Sequence, residues 1–84
     1  MNTTLDEVRN TAIRLADAVE SEAPRAAEKL RAAAADPSDS PDALLGLRSA
    51  LIETRPAWEE CAGDHLAGEA RAVLRSAKRL AIEM

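Results

Sequence analysis

Apolar residues near the start of the chain recur in alternating steps of three and four, and this spacing restricts the fold more than any other feature. The members of this stripe are Leu5, Val8, Ala12, Leu15 and Val19. Such a period places side chains on one face of an α-helix, whereas a half-buried strand alternates every second residue. Thr4 and Glu7 have the spacing of a capping box. We therefore predict a helix over about residues 4–21.

Pro24 interrupts this pattern because proline lacks a backbone N–H and clashes with the preceding helical turn. It either begins a new helix in its first turn or kinks a continuous one. Small apolar residues stay in phase up to about residue 35, so both alternatives are open. We favour a break at residues 21–24 and predict a second segment over about residues 24–35.

The stretch DPSDSPD, residues 36–42, is a turn cluster rich in proline, serine and aspartate. Within it, Ser40 can cap a helix whose first position is Pro41. We predict a third helix over about residues 41–54. Its apolar face contains Leu44, Leu47 and Leu51, widened by Leu45 and Ile52.

Pro56 ends the third helix and begins the last segment, which we predict over about residues 56–83 with a bend at Gly63 as an open alternative. Gly63 and Gly68 each weaken a helix by about 1 kcal/mol relative to alanine. The apolar series of this segment is Leu66, Ala70, Val73, Ala77 and Leu80.

Together these segments predict an all-α fold, a small antiparallel helical bundle in one domain spanning residues 1–84. The bundle has four segments, or three if Pro24 only kinks the first helix. Strand-like alternation and internal repeats are both missing from the sequence, which supports the all-helical prediction.

Large apolar side chains are scarce. Nineteen of the 84 residues are alanine and ten are leucine, and the sequence contains no Phe or Tyr. Alanine favours helix but buries little area. A solitary domain of this composition is predicted to be marginally stable. We therefore expect either very close helix packing through alanine or further burial against a partner.

Residues 55–70 contain the only tryptophan, cysteine and histidine of the sequence. Cys61, His65 and Glu69 follow one another at steps of four, and all three residue types are zinc ligands. A structural zinc site needs four ligands, and no second Cys or His exists here. We therefore predict no metal and no cofactor. Cys61 is expected to be a small buried residue, and His65 to lie at the core edge or pair with Glu69.

The same stretch offers a face with few side chains, where another helix can approach closely. Trp58 is predicted to close the end of the core, with an exposed anchor for a partner as the alternative. The predicted interface consists of Trp58, Ala62, Gly63, Leu66, Ala67, Ala70, Arg71, Arg75 and Arg79.

Charge disfavours nucleic acid as a partner. The net charge is -4, with a pI of about 4.9, whereas nucleic-acid-binding domains are usually basic. Residues 1–70 carry -7 and residues 71–84 carry +3. The basic stripe of the last segment is Arg71, Arg75, Lys78 and Arg79. It suits phosphate contact, the helix dipole or the acidic face of another chain.

Several chemical functions lack the residues they need. Asp36, Asp39 and Asp42 do not form a calcium loop, because a loop that begins at Asp36 has no glycine in the position required and no closing glutamate at position twelve. A glycine-rich phosphate loop is also missing. A chain with so few large apolar residues is expected to have little volume for a ligand pocket. We predict that the protein is not an enzyme and has no small-molecule substrate.

Two functions are consistent with the sequence. The first is a cytoplasmic protein–protein interaction module that self-associates through the alanine- and glycine-lined last helix. The second is an acidic regulator, of the immunity, antitoxin or inhibitor type, that blocks a basic protein. Cytoplasmic localisation is expected because we find neither a signal peptide nor a membrane-spanning run of apolar residues, and one cysteine forms no internal disulfide.

Overall fold

A computed structural model describes residues 4–36 and 40–83, and the chain forms five helices within these ranges. The helices are α1 (Leu5–Val19), α2 (Pro24–Ala34), α3 (Pro41–Glu53), α4 (Arg55–Cys61) and α5 (Asp64–Glu83). The predicted all-helical bundle is confirmed. Part of the predicted turn cluster, including Asp39, lies outside the described residues.

Side-chain caps begin α1 and α3 at the predicted positions. The Thr4 Oγ1 accepts a hydrogen bond from the backbone N of Glu7 at 3.3 Å. The Ser40 Oγ accepts one from the backbone N of Ala43 at 3.2 Å, and Pro41 follows as the first helical residue. Each cap satisfies a backbone donor that has no partner inside the helix, which explains why these helices begin where they do.

Pro24 begins a separate helix, so the prediction of a break is confirmed and the alternative of a single kinked helix is wrong. α1 ends at Val19, and the backbone N of Ala23 donates to the Val19 carbonyl at 2.7 Å in the turn. Ala23 leaves the helical conformation with φ -138° and ψ 68°. The residue before a proline is disfavoured in the helical region, which accounts for this break.

Gly63 divides the predicted last segment into α4 and α5, so the bundle has five helices in the described residues instead of four. Its φ is +88°, a left-handed conformation that glycine adopts without the steric cost that other residues incur. The chain therefore turns sharply at this position, so the predicted alternative of a bend at Gly63 is confirmed and a continuous helix over residues 56–83 is wrong.

The core lies where α1 packs against each of the other four helices. Trp58 is its largest fully buried side chain. The other large residues of the fully buried group are Leu15, Leu30, Leu44, Leu47, Leu51, Val8 and Val19. Alanines fill the remaining contacts, including Ala12, Ala16, Ala67, Ala70 and Ala77. Among the described residues, no helix combines the length and the apolar character that crossing a membrane requires.

Candidate functional site

Trp58 belongs to the core of its own chain. Its side chain is 0% exposed, and the indole Nε1 donates a hydrogen bond to the Leu51 carbonyl at 3.0 Å. This bond satisfies the one polar group of the indole, as burial of a tryptophan requires. The alternative of an exposed anchor is therefore wrong for the folded chain, and Trp58 leaves the predicted interface.

The small-residue face of α5 also packs internally. Ala67 and Ala70 are buried in the core, while Ala62 and Leu66 are partly buried against it. Gly63 is exposed at the turn. The face does provide the predicted close helix approach, but the approaching helices belong to the same chain. Ala67 and Ala70 are consequently not available to a partner, which corrects this part of the predicted interface.

Cys61, His65 and Glu69 do not form one site, because the turn at Gly63 separates the cysteine from the other two. His65 Nε2 lies 3.3 Å from Glu69 Oε1, so the predicted pairing is confirmed. The pKa of the Cys61 thiol is raised, first by a hydrogen bond with Glu22 and then by burial. A raised pKa opposes the thiolate form that nucleophilic or metal-binding cysteines use.

Among the described residues, no group of three or more His, Cys, Asp or Glu side chains is placed to hold a metal ion. Glu69 is instead shared between His65 and Arg14, whose Nη2 lies 2.7 Å from Glu69 Oε2. The Arg14 contact joins α1 to α5. These residues therefore connect helices on the surface of the bundle.

The outer face of α3 carries two exposed large aliphatic side chains. Leu45 and Ile52 are 46% and 45% exposed, and Ser49 is exposed between them. The opposite face carries Leu44, Leu47 and Leu51 into the core. The prediction that Leu45 and Ile52 widen the core face is wrong, because a rotation of 100° per residue turns them to the other side of the helix. We call Leu45, Ser49 and Ile52 the α3 stripe.

Opposite charges flank the α3 stripe. Arg48 lies on one edge and is partly buried, and its Nε is buried without a hydrogen-bond partner. Glu53 lies on the other edge, where its carboxylate is 3.5 Å from Lys29 Nζ. Both members of that pair are well exposed, so their attraction is weak. The stripe is thus a narrow apolar surface with a cation on one side and an anion on the other.

A cleft of about 350 Å³ lies beside α4 and α5 and is lined by Arg55, Arg71, Leu74 and Arg75. This cleft is open to the surface and does not occupy space in the apolar core. Of the predicted interface residues, Arg71 and Arg75 line it, whereas Arg79 is exposed farther along α5.

Glu59 joins two of the cleft arginines. Its Oε1 lies 3.3 Å from Arg55 Nε and 3.1 Å from Arg71 Nη1. The hydrogen bond from Arg71 and the nearby charge of Arg55 lower the pKa of Glu59. Sequence reasoning identified neither Arg55 nor Glu59 as a site residue. Their spacing of four was visible, but only the turn at Gly63 brings Arg71 to the same carboxylate.

Comparison with protein-family models, with curated proteins and with solved structures finds no match for the chain. Function is therefore inferred from the two surfaces described above, the α3 stripe and the arginine-lined cleft.

Proposed function

We propose that the protein is a self-associating interaction module and that a second copy of the chain docks on the α3 stripe. The observation that carries this proposal is the exposure of both Leu45 and Ile52 on one face of a helix whose other face is core. This location differs from the predicted one, because the alanine-lined face of α5 is occupied by the chain's own helices.

The first argument concerns the two apolar faces of α3. A helix that is apolar on opposite sides is typically covered on both. Here the chain covers one side only, and removing the other from water gains roughly 25 cal/mol for each Å² of apolar surface. Ser49 is small and exposed, and a Cβ at Gly46 would meet nothing within 4 Å. Another helix can therefore approach the stripe closely.

The second argument is charge complementarity, which supports another copy of the chain as the occupant. When two helices pack in parallel along a shared apolar stripe, opposite flanks of the two stripes meet. Arg48 of one copy then lies next to Glu53 of the other, and two-fold symmetry repeats this contact. Within the described residues, Arg48 forms no ion pair in its own chain. Self-association supplies the missing counter-charge.

The size of the surface defines how strong this association can be. α3 has 13 residues, and its stripe offers two large aliphatic side chains. Stable interfaces bury about 800 Å² on each partner, more than this stripe provides. The dimer is therefore weak and reversible, with a dissociation constant between the micromolar and millimolar ranges. Dimer formation then depends on the local concentration of the protein.

Sedimentation velocity over a range of protein concentrations tests the proposal. The wild-type chain is expected to shift from monomer to dimer as its concentration rises. The double variant Leu45→Ser/Ile52→Ser is expected to remain monomeric at every concentration. Ile82→Ser is the matched control, because Ile82 is a large aliphatic residue that is 78% exposed on α5, and this variant should dimerise like the wild type.

Equal loss of dimer in the stripe variant and in Ile82→Ser contradicts the assignment to α3. A wild-type chain that stays monomeric up to millimolar concentration contradicts self-association altogether. If that monomer instead binds a basic protein in a salt-sensitive manner, the second predicted function, an acidic regulator, replaces the present one.

A further inference from the structure

The arginine-lined cleft carries more positive charge than the chain neutralises. Arg55, Arg71 and Arg75 contribute three guanidinium groups, and the Glu59 carboxylate contacts the first two of them. Within the described part of the chain, Arg75 forms no ion pair. The balance of these four groups is +2, although the whole protein carries -4. Local charge in the cleft is therefore opposite in sign to the net charge.

Glu59 is an anion that two of the cleft arginines already contact. Two guanidinium groups converge on the same atom, Oε1, from α4 and from α5. The lowered pKa of Glu59 reflects the same attraction. Guanidinium groups bind oxyanions through paired N–H donors, and phosphate is their preferred doubly charged partner. A single carboxylate accepts hydrogen bonds from only some of these N–H donors.

We propose that this cleft binds the phosphate group of a small molecule or free phosphate. The charge of a phosphate group at neutral pH, about -1.5 to -2, matches the +2 that Glu59 leaves uncompensated. Arg75 can direct its guanidinium N–H donors to the ligand, whereas Arg55 and Arg71 also contact Glu59.

The volume of the cleft favours an organic phosphate. About 350 Å³ lies at the lower end of the range for small-molecule sites. Leu74 supplies an apolar wall next to the arginines, which suits the organic part of a phosphate ester. The four residues that line the cleft include none of the α3 stripe, so substitutions can test the two proposals one at a time.

The test is a nuclear magnetic resonance titration of the ¹⁵N-labelled chain with sodium phosphate and, separately, with glycerol phosphate. Sodium chloride of equal ionic strength is the reference. We expect saturable shifts at the backbone and guanidinium signals of Arg55, Arg71 and Arg75. Tighter binding of glycerol phosphate identifies an organic phosphate as the ligand, and equal binding identifies free phosphate.

Four variants separate a specific site from general charge. Arg75→Gln is expected to bind phosphate about tenfold more weakly, the ratio expected for one lost charge-assisted hydrogen bond. Glu59→Gln is expected to bind severalfold more tightly, because the competing carboxylate is gone. The controls Arg25→Gln and Glu28→Gln make the same charge changes at exposed positions of α2, which does not line the cleft.

Non-saturable shifts that sodium chloride reproduces would overturn the proposal. So would an Arg75→Gln variant that loses no more affinity than Arg25→Gln. Weaker binding by Glu59→Gln than by Glu28→Gln would overturn the role of Glu59 as a competitor for the arginines.

Discussion

Trp58 contributes more to the core than any other single residue, because it is the largest buried side chain in a chain otherwise rich in alanine. Trp58→Ala is expected to lower the free energy of unfolding by about 3–5 kcal/mol. A domain of this length has a total stability of roughly 4–13 kcal/mol, so the variant will be close to unfolding. Urea denaturation followed by far-ultraviolet circular dichroism measures the change.

Ile82→Ala is the control for Trp58→Ala, since a 78% exposed side chain is expected to change stability by less than about 0.5 kcal/mol. Trp58→Phe removes both part of the buried ring and the indole N–H with its 3.0 Å hydrogen bond to Leu51, so it is expected to cost more than the about 1–2 kcal/mol of the hydrogen bond but less than Trp58→Ala. Similar denaturation midpoints for Trp58→Ala and Ile82→Ala would show that Trp58 does not hold the core.

Substitution by alanine is expected to change the stability of the protein in opposite directions at two glycines. Gly63→Ala is expected to destabilise the protein by about 1–2 kcal/mol, because φ of +88° is strained for alanine. Gly68→Ala is expected to stabilise it by about 0.5–1 kcal/mol, because Gly68 lies inside α5 and an added Cβ would approach only Arg71 Nη2, at 3.9 Å. Thermal denaturation of both variants checks the sign, and a stabilised Gly63→Ala would contradict the break between α4 and α5.

At the scale of helices, the N-termini of α1, α2 and α3 were predictable because single residues determine them. Thr4, Ser40 and the two prolines Pro24 and Pro41 act through their own backbone and side-chain chemistry. The core face of α3, formed by Leu44, Leu47 and Leu51, was predicted correctly, but the outward orientation of Leu45 and Ile52 was not. Leu45 is adjacent to Leu44 and equally apolar, so its residue type does not show that it faces away from the core.

The parallel arrangement proposed for two α3 helices predicts the outcome of a charge exchange. Arg48→Glu and Glu53→Arg, made singly, place like charges opposite each other and are expected to weaken the dimer by about tenfold. The double variant restores opposite charges and is expected to recover most of the affinity. Sedimentation equilibrium measures the three dissociation constants.

Recovery of the dimer affinity in the double variant is expected only if Arg48 of one copy contacts Glu53 of the other. If the double variant is weaker than either single variant, the two residues do not meet, and the parallel arrangement is wrong. Circular dichroism of each variant establishes that its helix content is unchanged.

For the whole molecule, a shortage of large apolar residues led us to expect close packing through alanine or burial against a partner. The structure contains the first of these within one chain. Its radius of gyration is 11.6 Å, close to the roughly 12 Å of a compact chain of this length. Composition alone could not predict this, because it does not show that the one tryptophan is fully buried in the core.

The two candidate surfaces were also not predictable, because each is defined by how the helices pack. The basic stripe of the last helix was visible in the sequence, but the cleft requires Arg55 and Glu59 to meet Arg71 across the turn at Gly63. The α3 stripe likewise became apparent only once the covered face of α3 was known. The sequence therefore indicated some of the charged and apolar residues of these surfaces, but it did not indicate which of them the fold brings together.

The most direct test of self-association through α3 is disulfide trapping at the centre of the stripe. In a Cys61→Ser background, Ser49→Cys places a thiol where two parallel α3 helices approach most closely, within the Cα separation of about 4.4–6.8 Å that a disulfide allows. Ser21→Cys, exposed in the turn between α1 and α2, is the control. We predict that mild oxidation converts the Ser49→Cys chain to a covalent dimer much faster than the control. Equal rates for the two variants would contradict docking on α3.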